Sequence, residues 1–195
     1  MILLCMAPCS RALAFDAPDP QIKLAPTRQA SRRGLVLTGM GGQHMGWGDT
    51  RVEGLRHNPL AGGILGYESP FSDSQLTGTW QLMIFGEIAK EGEWGGFGAI
   101  LGSYRLTYWI EPIGLGGLGI WTSLGIGIAG YQHIGAAFNV QVGADLMFTS
   151  FVGIGAFVDF TAISPSPGDN LVTNDSFDGA VTLSSGGRLI IKIPF

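Results

Sequence analysis

The sequence predicts an all-β fold, a closed up-and-down antiparallel transmembrane β-barrel of eight strands. Apolar and polar residues alternate with a period of two in several segments, as in strands whose two faces meet different surroundings. The chain is poor in charge, at 13%, and rich in glycine, with 32 in 195 residues. Polar connections separate the segments, and long connections largely alternate with short ones. Together these observations indicate strands that run up and down through a membrane.

The chain begins with two segments that we place outside the barrel. Residues 1–14 are apolar and end in the small-residue pattern Ala12-Leu13-Ala14, which is typical of a secretory signal peptide. Residues 15–30 hold three prolines and no apolar period, which predicts a flexible lead-in. The barrel is expected to occupy residues 31–195.

The first half of the barrel contains one strong strand signal and three weaker ones. The weaker runs cover 33–44, 60–68 and 96–110. In 75–86 the alternation is strong, and it sets one apolar face against a largely polar face. The apolar face carries Leu76, Trp80, Leu82 and Ile84.

The second half contains a weaker run at 115–128 and three strong signals. Residues 135–145 and 150–161 place Phe138, Val140, Val142, Ile154 and Val158 on the apolar faces, which we assign to lipid. The last run ends at the C-terminus. Tyr104, Tyr108, Trp80, Phe160 and Phe195 also fall on outward faces, where those near strand ends would form interfacial aromatic belts.

The connections support the up-and-down order. Long polar segments fall at 45–59, 87–95 and 163–179, and short ones at 69–74, 111–114 and 146–149. The segment 129–133 is short where a long connection is expected. An outer-membrane strand needs about 9 to 11 residues to cross at its tilt, and the spacing leaves room for this.

Two other folds remain open at this point. Residues 112–144 carry no charge and are long enough for a transmembrane helix, but Pro112–Gly130 contains seven glycines, which disfavour a helix interior. A soluble lipocalin-like barrel would place the apolar faces inside and the polar faces in water. The transmembrane barrel also explains the high glycine content. In its narrow lumen, inward Gly143, Gly153 and Gly155 would make room for large inward side chains.

The polar faces of the strands predict a polar network in the lumen. Its predicted members point inward by parity and are Arg105, Asn139, Gln141, Asp159, Arg188 and Lys192. A buried charge needs a partner, and Asp159 has the same inward parity as Arg188 on the next strand. We therefore predict that Asp159 and Arg188 form an ion pair. Asp145 is expected at the end of its strand, outside this network.

The C-terminal run Gly187-Arg188-Leu189-Ile190-Ile191-Lys192-Ile193-Pro194-Phe195 resembles the closing strand of Gram-negative outer-membrane β-barrels. In those proteins the terminal aromatic is part of the signal read by the barrel-insertion machinery. The corresponding residues here are Leu189, Ile191, Ile193 and Phe195. From Arg33 to Phe195 the chain resembles the small eight-stranded OmpA-like barrel family in pattern. The resemblance implies the outer membrane of a Gram-negative bacterium as location, with membrane lipids, lipopolysaccharide and the insertion machinery as partners.

No chemistry-bearing motif stands out. The net charge of −4 has no basic stripe for nucleic acid, and Cys5 and Cys9 both lie in the predicted signal peptide. Neither His44 nor His133 has the His-x-Ser spacing of the lipid A deacylases, and a histidine metal site would need His44, His57 and His133 to converge from distant positions. We therefore predict no catalysis, no metal and no cofactor.

Acidic loop residues are the remaining candidate surface. Glu87, Glu91 and Glu93 share one connection with Lys90, and the acids of another are Asp169, Asp175 and Asp178. They could hold divalent cations that bridge lipopolysaccharide, contact a protein partner, or serve only as a solvated rim. The sequence thus predicts a structural or surface-interaction barrel, with a narrow small-solute channel or a soluble binding barrel as alternatives.

Overall fold

The computed structural model describes residues 33–48, 58–71, 75–88, 96–110, 117–131, 134–165 and 179–195. These residues form eight antiparallel strands in up-and-down order. In chain order they are β1 (Gly34–Gly48), β2 (Asn58–Pro70), β3 (Leu76–Glu87), β4 (Gly98–Ile110), β5 (Gly117–Gly130), β6 (Ile134–Met147), β7 (Val152–Ile163) and β8 (Ala180–Pro194). Each strand overlaps a predicted run, and β1, β2 and β8 extend well beyond theirs.

The strands close into a barrel because β1 pairs with both β2 and β8. Every backbone ladder therefore has a neighbour on each side, which a lipid environment requires. The predicted fold class, a closed eight-stranded antiparallel barrel, is confirmed. None of the described segments forms a helix with the length and hydropathy that a membrane crossing requires.

The strands tilt, and the register gives the size of their stagger. One circuit from Gly34 leads to His44, so the stagger is 44 minus 34, or ten residues. The positions passed on the way, in strand order, are Glu68, Thr79, Arg105, Ser123, Gln141, Asp159 and Ser184. All of these face inward and are buried, so one register line carries a continuous row of polar side chains up the lumen.

The wall is apolar outside and carries its charges inside. Every Asp, Glu, Lys and Arg in the eight strands points inward, whereas the exposed large residues of the strands are hydrophobic or aromatic. The five residues assigned to lipid confirm this, because Phe138, Val142, Ile154 and Val158 are between 46 and 49% exposed and Val140 shares their parity. A soluble barrel requires the opposite distribution.

Two inward glycines make the lumen wide enough for its large side chains. A Cβ on Gly143 would overlap the indole of Trp121 on the neighbouring strand. A Cβ on Gly155 would overlap Asp145 and crowd Arg188, which are its register partners on either side. The prediction that inward glycines create space is confirmed at these positions.

The barrel has two different ends. We call the end with connections 49–57, 88–97, 131–133 and 164–179 the loop end, and the end with 71–75, 111–116 and 148–151 the turn end. The long and short connections fall as predicted, including the short one after β5. The predicted signal peptide, the lead-in, His57, His133 and all predicted acidic loop residues except Glu87 lie outside the described residues.

Candidate functional site

All six predicted network residues lie inside the barrel and are buried. They do not form one network. Arg105, Arg188 and Lys192 meet two acids toward the turn end, whereas Asn139, Gln141 and Asp159 form a separate group nearer the loop end.

Asp145 is the centre of the charged group. Its Oδ2 accepts hydrogen bonds from Arg105 Nη1 at 3.1 Å and from Arg188 Nη2 at 2.9 Å. Its Oδ1 accepts from the indole Nε1 of Trp121 at 3.0 Å. Asp145 and Arg188 come together because Gly155, which pairs with both, puts no side chain between them. Charge-assisted bonds of this kind are stronger than neutral ones.

Glu68 is the second acid of this group. Its Oε1 accepts a hydrogen bond from Lys192 Nζ at 2.7 Å, and its Oε2 lies 3.4 Å from Arg105 Nη2. Arg105 therefore links Glu68 to Asp145 across the lumen. We call these five charged residues, Glu68, Arg105, Asp145, Arg188 and Lys192, the Asp145 cluster.

The Asp145 cluster has three cations and two acids, and two indoles stabilise the extra positive charge. The guanidinium of Arg188 lies 4.4 Å above the ring of Trp121, and that of Arg105 lies 5.5 Å from it. The ammonium of Lys192 lies 4.3 Å from the ring of Trp109. A cation above a desolvated indole gains about 2 kcal/mol. The two rings therefore contribute to the stability of the three buried cations.

The predicted Asp159–Arg188 pair is wrong. Asp159 accepts hydrogen bonds from the side-chain amides of Asn139 and Gln141, and from the hydroxyl of Thr161 at 3.0 Å. Its register partner on β8 is Ser184, four residues from Arg188. Equal parity correctly placed both side chains in the lumen, but parity does not determine the register between strands. In the observed register Arg188 lies beside Asp145.

Sequence reasoning missed Glu68 and misplaced Asp145. Asp145 is an inward residue inside β6, which runs two residues beyond the predicted end of that strand. Glu68 ends a run whose inward face is otherwise apolar, so alternation did not single it out. One usable signal was charge balance, because the predicted lumen contained three cations and only one acid.

Apolar side chains fill the lumen on the loop-end side and on the turn-end side of the Asp145 cluster. Toward the turn end Val36, Trp109, Met147 and Ile190 form one buried group. Toward the loop end a larger group contains Met40, Met83, Leu101 and Phe157 among others. An eight-stranded barrel is only wide enough to be filled by its side chains, and this barrel follows that rule.

Several lumen polar atoms have no partner within the described protein. They are the side-chain oxygens of Thr38, Thr79, Thr107, Ser123, Thr182 and Asn139, Nε2 of Gln81, and Nε of Arg105 and Arg188. Buried polar atoms are normally satisfied by protein or by ordered water.

His44 organises the loop end of the lumen. Its Nδ1 lies 2.8 Å from Ser184 Oγ and its Nε2 lies 3.0 Å from the Tyr131 hydroxyl, so both ring nitrogens have partners. The ring stacks on Phe97 at 4.3 Å, and Glu87 Oε1 is 3.6 Å from Nε2. His44 on β1 thus lies against side chains from β3, from β8 and from the connections 88–97 and 131–133.

The side chains around His44 are buried and hydrogen-bonded to one another, which is typical of a packing role. Burial and, less strongly, the charge of Glu87 raise the pKa of Tyr131 above its ordinary value, so its phenol stays protonated. A serine beside a histidine is the arrangement that activates a nucleophile, but Ser184 is only 1% exposed. Among the described residues, no set of three or more potential ligand side chains is placed to hold a metal ion.

Comparison with known proteins identifies the fold. The structure is similar to the crystal structure of Neisserial surface protein A, with 12% identity, a TM-score of 0.52, and coverage of 82% of this chain and 97% of that one. It also matches Ail, the attachment invasion locus protein of Yersinia pestis, with 13% identity, a TM-score of 0.44, and coverage of 81% and 99%. No protein-family model and no curated protein sequence matches the chain.

The similarity to Neisserial surface protein A extends over nearly all of that chain. It confirms the predicted resemblance at the level of the small eight-stranded barrel fold. Membership of the OmpA-like family itself stays a prediction.

Proposed function

We propose that this protein is an outer-membrane β-barrel of a Gram-negative bacterium with a structural or surface-interaction role and no catalytic step. The observation that carries the proposal is the distribution of charge. All the charged residues of the strands lie inside, while the wall exposes leucine, isoleucine, valine and aromatic side chains. Outer-membrane barrels show this apolar band, and a protein in water would expose it at high cost.

Aromatic residues at the turn end support the same location. Tyr67, near the end of β2, and Phe195, just after β8, pack together outside the wall with their ring centroids 6.0 Å apart. Trp and Tyr favour the interface between lipid tails and water. We assign the turn end to the periplasmic interface and the loop end, with its longer connections, to the cell surface.

The partners follow from this location. The wall would contact membrane lipids and, on the surface side, lipopolysaccharide, and the closing strand would contact the barrel-insertion machinery. We assign the surface role to the loop end, where the longer connections lie and where His44 contacts Ser184, Tyr131 and Phe97. Binding residues are often carried on loops that a rigid scaffold positions.

Membrane fractionation tests the proposal. The protein should appear in the outer-membrane fraction and should migrate differently on gels with and without heating, as a folded barrel does. Recovery in the soluble periplasmic fraction, with no heat-dependent shift, would contradict the proposal and favour a soluble binding barrel.

The lumen should not conduct ions. Met83, Leu101 and Arg105 fill the interior and have no exposed surface, so planar bilayers containing the wild-type protein should show no current steps. The triple variant Met83→Ala, Leu101→Ala and Phe157→Ala, which empties one apolar layer, serves as the comparison. Regular current steps from the wild-type protein would favour the small-solute channel instead.

Removing Phe195 should impair assembly. Phe195 is 71% exposed, and its backbone nitrogen donates to Arg33 O where the barrel closes. Deletion should lower the amount of folded, heat-modifiable protein in membranes severalfold, because the terminal aromatic of the predicted insertion signal is lost. The control is Phe151→Ala, which removes another exposed turn-end ring. Equal amounts of folded protein from both variants would rule out a special role for Phe195.

A further inference from the structure

We propose that the loop end of the barrel binds one acyl chain of an outer-leaflet lipid in a lateral groove across β3, β4 and β5. This inference rests on the proposed membrane location and orientation. The groove has a volume of about 300 Å³ and is lined by outward isoleucines together with the inward residues Phe85, Ala129 and Tyr131. We call it the loop-end groove.

The register builds one side of the loop-end groove. Ile84, Ile100 and Ile128 lie side by side on the three strands because they pair directly with one another. Each is about half exposed, so together they form a ridge of methyl groups on the wall. The ridge faces lipid, since these residues share the outward parity of their strands.

The wall steps inward immediately beyond this ridge. The next outward positions toward the loop end are Gly86, Gly98 and Gly130, which are again direct register partners. Ile134 pairs with Gly130 and stands 65% exposed at the far side. The result is a depression about one side chain deep, bordered by isoleucine on two sides.

The floor of the groove reaches the interior of the barrel. The rings of Phe85 and Tyr131 contact Phe97, which lies in the lumen core. The hydroxyl of Tyr131 points to His44 Nε2 and is already hydrogen-bonded. Among the described lining residues, Tyr131 has the one polar side chain, and its hydroxyl is already hydrogen-bonded, so these side chains would not select a headgroup.

These features favour an acyl chain as the occupant. The groove opens sideways from the apolar wall, continuous with the surface that we assign to lipid, so a membrane supplies acyl chains to it directly. The described residues that line it carry no charged side chain. Its position at the loop end, above the ridge, means that the chain comes from a lipid whose headgroup lies beside the surface loops.

The test fills the groove without disturbing the fold. A Cβ on Gly98 would meet nothing within 4 Å, so Gly98→Leu places a side chain in the open groove. Gly39→Leu is the matched control, because Gly39 is equally open but lies on β1, away from the groove. Each variant is refolded in micelles, and its heat-dependent gel shift confirms that it is folded.

The readout is native mass spectrometry after addition of dioleoyl phosphatidylethanolamine, with dioleoyl phosphatidylglycerol as a second probe. Wild type and Gly39→Leu should retain one lipid of either kind, because the apolar tail is what binds. Gly98→Leu should retain it about tenfold less, the ratio expected when contact with about two methylene groups is lost. Equal retention by Gly98→Leu, equal loss by Gly39→Leu, no retained lipid, or retention of one headgroup only would each overturn the inference.

The outcome separates this inference from the proposed function. A protein that fractionates with the outer membrane but retains no lipid would leave the proposed function standing and remove the groove. A protein absent from the outer membrane would remove the proposed function whatever the micelle experiment shows.

Discussion

Replacing Asp145 with asparagine should lower the free energy of unfolding by about 3 to 5 kcal/mol, because two buried guanidinium groups lose their shared carboxylate. Both Arg105 and Arg188 donate to the same oxygen, and Trp121 donates to the other. An asparagine amide removes the negative charge, so the positive charge of the cluster rises while its burial stays the same. Urea unfolding in lipid vesicles measures the loss.

A double-variant comparison shows whether the effect belongs to the pair. Asp145→Ala and Arg188→Ala should be non-additive by about 1 to 3 kcal/mol, because either change alone breaks the same contact. Asp159→Ala and Arg188→Ala should add to within about 0.5 kcal/mol. Additive losses for the first pair would mean that water enters the lumen and screens the charges, as it does at exposed ion pairs.

The two faces of each strand could be predicted from the sequence, because parity alone decides which residues share a face. Neighbouring residues on a strand point to opposite sides, so the period of two in 135–145 was enough to put Phe138 and Val142 on one face, and the membrane assignment made that face the outer one. The glycine prediction succeeded for the same reason. Gly143 and Gly155 share inward parity with large side chains and therefore had to leave space for them.

The contacts inside the lumen could not be predicted in the same way. They depend on register and on the ten-residue stagger, which follow from where every strand begins and ends. Because β6 ends two residues later than predicted, Asp145 lies inside the strand and not at its end. Asp159 pairs with Ser184, four residues from Arg188, so the predicted pair does not form. The His44 group joins residues up to 140 positions apart, and no local pattern relates them.

The wall gives the second large prediction, which distinguishes a membrane barrel from a soluble one. Leu124→Arg should lower the free energy of unfolding in lipid vesicles by about 2 to 4 kcal/mol, the cost of a cation near the bilayer midplane. Leu124 lies in the middle of β5 and is 57% exposed on the outward face. Its neighbours across the strands, Tyr104 and Val140, offer no carboxylate to pair with the guanidinium.

Depth provides the control for this prediction. Val152 begins β7 at the turn end and is 41% exposed, so an arginine there can extend its side chain to the interface. Val152→Arg should therefore cost only about 0 to 1 kcal/mol. Both substitutions replace an exposed aliphatic residue by the same cation, and only depth in the membrane separates them. Equal stabilities of the two variants in vesicles would mean that the middle of the wall faces water, and the proposed location would then be wrong.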